Sequence, residues 1–418
     1  MRRKAVGILA IFLATLALSI STGAQGATLE VVASHSILAD VLGNIAGDHV
    51  ELTTLIPIGA DPHGFNPSPS DLTSVAEADL VFVNGAGFEE TLLEVIKGAA
   101  EDVPIVEVSA CVEIIAIGAT GHMHEDDKHA DEHDDEDAHD DDEHADEHDD
   151  EDTHDDDDHA DEHDDEDAHD DDDHADEHDD EDAHDDDDHA DMDSHCDAHD
   201  AEFVEIMGDE DAHQHGPVLG RLEDIDCGAG HGHGDGGHAH GAGDCDPHVW
   251  MDPHNVTYWS LMIRDVLSEL DPGHASDYAA AAAEYIGELV ALESDFILPL
   301  LEELPVEQRI LITSHDSLGY LAATFDFQII STVIPGGSTL VEPSARDVAA
   351  LIDLINETGV AAIFGETTVS TSEVETIAAE TGAELAIIYS GTLSDGGPAS
   401  TYLEYMRYNL GTIVEALG

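Results

Sequence analysis

The sequence predicts an α/β protein of two parallel-sheet lobes joined by a long rigid helix, with a cleft between the lobes and a disordered His/Asp-rich insert. Three observations predict it. Strand-like and helix-periodic segments alternate on both sides of a low-complexity tract, the pattern of a parallel sheet covered by helices. A helical stretch rich in Ala, Glu and Leu runs from about Ala275 to Leu304 between the two alternating regions. At ~1.5 Å per residue it would span roughly 40 Å, long for one small domain and suited to a strut between two.

The chain opens with Arg2, Arg3 and Lys4, an apolar run from Ala5 to Leu18, and small residues near Ala24–Ala27. That order describes a secretory signal peptide, residues 1–27. The first lobe starts at 28. LEVVAS is a β-rich run, and SILADVLGNIAG has helical spacing and stops at Gly47. VELTTLIP is a strand. SDLTSVAEA is a helix with Ser70 or Asp71 as its cap. DLVFVNGAG is a buried strand, FEETLLEVIKGA an amphipathic helix and PIVEVSA a strand. This part of the lobe is expected to end at 118.

From 119 to 245 the pattern collapses into the insert. Four near-identical 15-residue units, HADEHDDEDAHDDDD, begin at His129, His144, His159 and His174. No residue in them is apolar and larger than Ala, so they cannot bury a core, and disorder is expected. Brief apolar character at Glu202–Met207 and Val218–Ile225 is followed by a Gly/His patch. Residues 246–274 complete the first lobe with a turn and a helix. The linking helix is assigned to 275–305.

The second lobe, 306–418, resumes the alternation. QRILITSH is a strand, LGYLAATF a helix and QIISTV a strand. SARDVAALIDLINETG is a helix stopped by Gly359, and VAAIFGE is a strand ending at Glu366. SEVETIAAETG is a helix, ELAIIYSG a strand, and TYLEYMRYNLGTIVEAL the last helix.

The formal net charge is −89, from 99 acidic and 10 basic residues. About 52 of the acids lie between Gly121 and Asp211, which leaves a net near −38 elsewhere. A surface so acidic is a poor partner for nucleic acid or anionic membrane. The four cysteines, Cys111, Cys196, Cys227 and Cys245, allow three disulfide pairings. Export permits them. Cys227 and Cys245 could close the Gly/His loop, and a thiolate zinc site is the other reading.

Three histidines stand far apart, each in its own motif: His63 in GADPHGFNPSPSD, His248 in DPHVWMDP and His315 in TSHDSLGY. Neutral imidazole is the commonest protein ligand for zinc and similar ions. Ligands of open α/β sheets gather outside the carboxyl ends of strands, so a metal shared by these residues would sit between the lobes. Each has a plainer reading as a loop, packed or strand-end histidine. Ser314, His315 and Asp316 also invite a hydrolase reading, but triad residues are generally separated in sequence. His35, His49, His254 and His274 are expected at the surface or behind the ligands.

The insert holds 17 histidines between His122 and His199. His129, His133, His139, His144, His148, His154, His159, His163, His169, His174, His178, His184 and His189, set among Asp and Glu, would offer weak exchangeable sites. They would raise the local metal concentration and lose metal as imidazoles protonate.

The motifs VVAS (31–34), LIPIGADPHGFNPSPSD (55–71), DPHVWMDP (246–253), TSHDSLGY (313–320) and TYLEYMRYN (401–409) resemble the zinc/manganese group of metal-binding substrate-binding proteins of ABC importers. The resemblance spans nearly all of 28–418 outside the insert. It implies two α/β lobes, a rigid linking helix, and one metal ion held by His63, His248 and His315 for delivery to an ABC-type metal permease. The protein would be exported, acting at the periplasm or outer face of the membrane, as a monomer and without covalent catalysis. Manganese-type members carry an acidic ligand where this chain has Gly391-Thr392-Leu393-Ser394. That absence, with His at 315, favours Zn2+ over Mn2+. The fourth position would be filled by water, or by an oxygen of Asp395, Glu366 or Asp61. The other readings are a metal buffer dominated by the tract, a manganese-type receptor or adhesin, and a zinc hydrolase.

Overall fold

Two four-stranded parallel sheets carry the architecture in the computed structural model, which describes residues 28–100, 103–118, 187–207, 218–222, 225, 227 and 245–418. The proposed signal peptide, and the repeat histidines from His129 to His184, lie outside the described residues. For His189 only its backbone place in a helix is described.

The first lobe contains β1 (Leu29–Ala33), α1 (Ser36–Ala46), β2 (Val50–Thr54), α2 (Pro69–Glu77), β3 (Leu80–Val83), α3 (Thr91–Ala99) and β4 (Ile105–Glu107). Its strands run parallel in the order β2-β1-β3-β4. β3 is buried along its whole length, as the unbroken LVFV run requires of a strand covered on both faces. The cap of α2 lies two or three residues before the predicted Ser70 or Asp71. Ser68 is the cap, Pro69 takes the first helical position, and Asp71 closes the capping box from the third.

β5 (Glu113–Ile115) pairs antiparallel with β6 (Val218–Arg221), and α4 (Asp187–Met207) lies between them in sequence. Within the stretch 119–245 expected to be disordered, α4 and β6 are therefore regular structure: α4 is tied to the first lobe by the Cys111–Cys196 disulfide, and Cys227 is bonded to Cys245. All four cysteines are disulfide-bonded, which rules out the thiolate zinc reading. Phe203 stacks on Tyr258 at 5.0 Å, giving the helix an apolar anchor that its acidic sequence conceals.

α5 (Pro253–Leu270) and α6 (Ala275–Leu292) follow, and α6 continues through a π-helical turn (Glu293–Ile297) into α7 (Leu298–Leu301). The helical run from 275 to 301 packs against α1 and α5 of the first lobe and α11 (Tyr402–Leu417) of the second. The second lobe holds β7 (Ile310–Thr313), α8 (Gly319–Thr324), β8 (Gln328–Thr332), α9 (Ala345–Thr358), β9 (Ala362–Glu366), α10 (Ser372–Thr381), β10 (Glu384–Ile388) and α11. Its parallel order is β10-β9-β7-β8.

One apolar core runs through both lobes and includes Val31, Trp250, Tyr285, Leu311, Phe364 and Tyr405. Polar bonds cross with it. Trp250 donates its indole N–H to the Ser390 carbonyl (3.0 Å), and the Tyr402 hydroxyl donates to the Trp250 carbonyl (2.8 Å). At the facing loops, Leu393 N–H donates to Ser36 Oγ (3.1 Å) and Gly59 N–H to Thr392 Oγ1 (3.0 Å). Lobes sharing a close-packed core resist wide opening.

Candidate metal centre

His63 lies in the loop after β2, His248 in the turn ahead of α5, and His315 just past the end of β7. The chain reverses at each point for local reasons. Asp61 accepts the His63 N–H through Oδ1 (3.1 Å), and Asp246 accepts the His248 N–H through Oδ1 (2.9 Å). These are the Asx turns that an Asp two residues upstream favours. His315 N–H donates to Oε1 of Glu366 on the neighbouring β9 (3.1 Å).

The fold brings the three rings together. Their centroids lie 5.1 to 5.7 Å apart, and one ligand atom from each falls within 4.8 Å of the others. All three residues are buried. Phe88 and Trp250 wall the site, Phe88 edge-on to His63 at 5.5 Å and Trp250 to His248 at 5.5 Å.

Each ring is backed by a carboxylate at Nδ1. Glu90 Oε1 stands 3.0 Å from His63, Asp246 Oδ1 2.9 Å from His248, and Glu366 Oε2 2.8 Å from His315. The last approach is too bent for a regular hydrogen bond but within ion-pair reach. An Nδ1–H directed at a carboxylate leaves Nε2 with its lone pair free, the tautomer a metal ligand needs. Glu90 adopts φ 45°, a left-handed backbone uncommon for a residue with a side chain, so the fold bears strain where it presents this carboxylate.

Burial first, and then the neighbouring His315 and His63 rings, push His248 well below the ordinary histidine range and keep it neutral. Burial pushes the Asp246 carboxyl up. At His315 burial acts downward, but the Glu366 carboxylate outweighs it and the ring is raised. Glu366 is correspondingly held low against its burial. Glu90 is also held low: burial acts upward on it, and the bonds from His63 and Ser338 outweigh that.

None of the expected fourth oxygens joins the three rings. Asp395 is exposed on its loop. Glu366 is committed to His315 from behind. Asp61 holds the His63 N–H with one oxygen and accepts from the Thr339 hydroxyl with the other (2.6 Å). Glu90 and Asp246 carried no role in the sequence reading. Asp246 had a local signal, its position two residues before His248. Glu90 is 27 residues from His63 and had none. Of the histidines expected at the surface or behind the ligands, His35 and His254 are buried: His35 caps α1, and His254 lies between Asp252 and Glu293, 3.0 Å from each.

The family described as "ZnuA: Zinc-uptake complex component A periplasmic" matches residues 31–416. The manganese-binding lipoprotein MntA of Halalkalibacterium halodurans is 25% identical over 398 residues, which cover 95% of this chain and 91% of that protein. The manganese ABC transporter substrate-binding lipoprotein PsaA of Streptococcus mitis is 22% identical over 396 residues, covering 94% and 91%. The solved structure of the periplasmic zinc binding protein TroA from Treponema pallidum superposes with a TM-score of 0.61 at 20% identity, covering 94% of this chain and all of that one. The fold is therefore shared with metal-binding proteins whose names specify different ions.

Proposed function

The chain belongs to the zinc-uptake complex component A family, and on that premise we propose that it captures zinc at His63, His248 and His315 and passes the ion to its permease. As a member of this family it is the metal-binding component of an ABC transporter, works with a permease outside the cytoplasm, and is a transport component rather than an enzyme. No described helix is long and apolar enough to cross a membrane.

The observation that carries the reading is the set of three converging imidazoles, each oriented by its own carboxylate. Imidazole-rich sites suit zinc, whereas manganese prefers oxygen donors. Gly391 supports the same choice. A Cβ placed there would lie 2.7 Å from Pro62 Cγ, so the backbone there leaves no room for the carboxylate a manganese-type site would carry. Water in the fourth position would complete a tetrahedron and give the ion an exit toward the permease. The repeat tract then acts as a low-affinity collector that raises the local zinc concentration.

The test is a zinc and manganese titration with a competing chelator, on the full chain and on His248→Ala. Tight zinc binding lost in the variant, with manganese much weaker, is the expected result. Manganese binding as tightly as zinc would return the site to the manganese reading, favoured by the relatives' names. For the collector, deletion of 123–186 keeps α4 and both disulfides. It should leave the tight site intact while slowing uptake from trace zinc, and unchanged uptake would refute the role.

A further inference from the structure

A second group of metal-capable side chains converges away from the triad: His195, His199 and Asp265. His195 and His199 are four residues apart on α4, so one helical turn places both rings on the same face, with centroids 4.2 Å apart. Asp265 comes from α5 and puts Oδ2 2.9 Å from His199 Nε2. One ligand atom from each of the three lies within 4.8 Å of the others.

His199 is 1% exposed, and its Nδ1 has no hydrogen-bond partner among the described residues. Nε2 of His195 is shielded from solvent and has none either. Buried ring nitrogens are normally satisfied, and an orphan in a folded protein calls for a water, an ion or a strained contact. Here the two rings of one pair each carry an orphan, while the other nitrogen of His199, Nε2, faces the Asp265 carboxylate.

The frame around them is rigid. Cys196, between the two histidines, is bonded to Cys111 and packs with Met262. Arg264 donates to Asp265 through Nε (2.6 Å) and Nη2 (3.0 Å), and to Glu202 through Nη1 (2.6 Å). Two carboxylates share one guanidinium, so the group keeps a net negative charge that favours a cation. Each carboxylate oxygen has two lone pairs, so the bonds from Arg264 do not exhaust Asp265.

We propose that His195, His199 and Asp265 form a second, independent site for a zinc-type divalent cation. Two imidazoles and one carboxylate are a known donor set for such ions. The site follows His189, the last histidine of the repeats, by six residues. It therefore gives the tract a preformed metal site at its C-terminal end. A His199–Asp265 pair that merely pins α4 to α5 would share the contact but bind no metal.

Zinc-edge anomalous diffraction from crystals of the zinc-soaked full chain tests this. The expected result is one peak among His63, His248 and His315, and another among His195, His199 and Asp265. A triad peak alone overturns the proposal. Chelator-competition titration gives a second readout. The full chain should hold one more zinc than His195→Ala, while His248→Ala loses the triad ion and keeps this one. His195→Ala leaves the His199–Asp265 contact in place, so its fold is preserved; His195→Gln is the substitute if it is not. Zinc stoichiometry unchanged in the folded variant also overturns the site, whatever the fate of the triad.

Discussion

Nε2 of His248 and Nε2 of His315 lie 3.3 Å apart, although 67 residues separate them in the chain. Two neutral rings whose Nδ1–H groups face Asp246 and Glu366 would turn both lone pairs into that gap. Lone pairs repel, so the arrangement needs a proton or a cation between the nitrogens. A proton is favoured at His315 by Glu366 and disfavoured at His248 by burial. A dication would satisfy both rings at once, with His63 on the third side.

Removing a ring should weaken the site more than removing its support. His248→Ala and His315→Ala are expected to lose zinc by well over ~100-fold, with circular dichroism unchanged. Asp246→Asn and Glu366→Gln leave the ligand in place but free the ring to turn, and are expected to cost ~10–100-fold. Chelator-competition titration ranks them. Equal losses in both classes would contradict the division into ligands and supports.

Gly391 offers a specificity test. Gly391→Asp places a carboxylate where the resemblance implies one in manganese-type members, but its Cβ would press on Pro62 beside His63. The expected outcome is weaker zinc binding without tight manganese binding. A variant that gains tight manganese would show that the Pro62 loop yields readily.

His254 should make stability depend on alkaline pH. Burial alone would lower its pKa, but Asp252 and Glu293 outweigh it and raise the value to about 10. A group raised above its unfolded value, here about 6.5, contributes stability that is fully present below the unfolded pKa and lost as pH rises through the folded one. The metal-free protein should therefore lose on the order of a few kcal/mol between pH ~7 and ~10. His254→Gln should flatten that part of the profile. Parallel melting curves for the two proteins across this range would disprove the assignment.

The Cys111–Cys196 bond closes a separation of 85 residues that includes the whole repeat tract. In the chain-entropy account such a loop contributes up to about 4–5 kcal/mol. The Cys111→Ser/Cys196→Ser double variant should melt at lower temperature, and amide exchange should show α4 opening first. Unchanged α4 protection would mean that the Phe203–Tyr258 stack and the Arg264 contacts suffice to hold it.

Much of this protein was determined by its sequence alone. Alternating periodicity marked both lobes, because strand and helix repeats reflect which faces must be buried. The long apolar-periodic run after Ala275 marked the strut. The motifs around His63, His248 and His315 named the three rings, since each sits in a short stretch whose Asp, Pro and Gly shape a turn locally. Tertiary structure alone decided what depends on distant chain segments meeting. It set Glu90 behind His63, moved Glu366 from candidate ligand to the back of His315, and left Asp395 in solvent. It also made a helix of Asp187–Met207 and tied it to the first lobe. There the acidic composition reads as solvated, and only a disulfide and a few contacts with α5 supply the burial that local sequence lacks. Periodicity reports the average environment of a face; which carboxylate reaches which ring depends on closing loops of tens to hundreds of residues, and no local pattern carries that information.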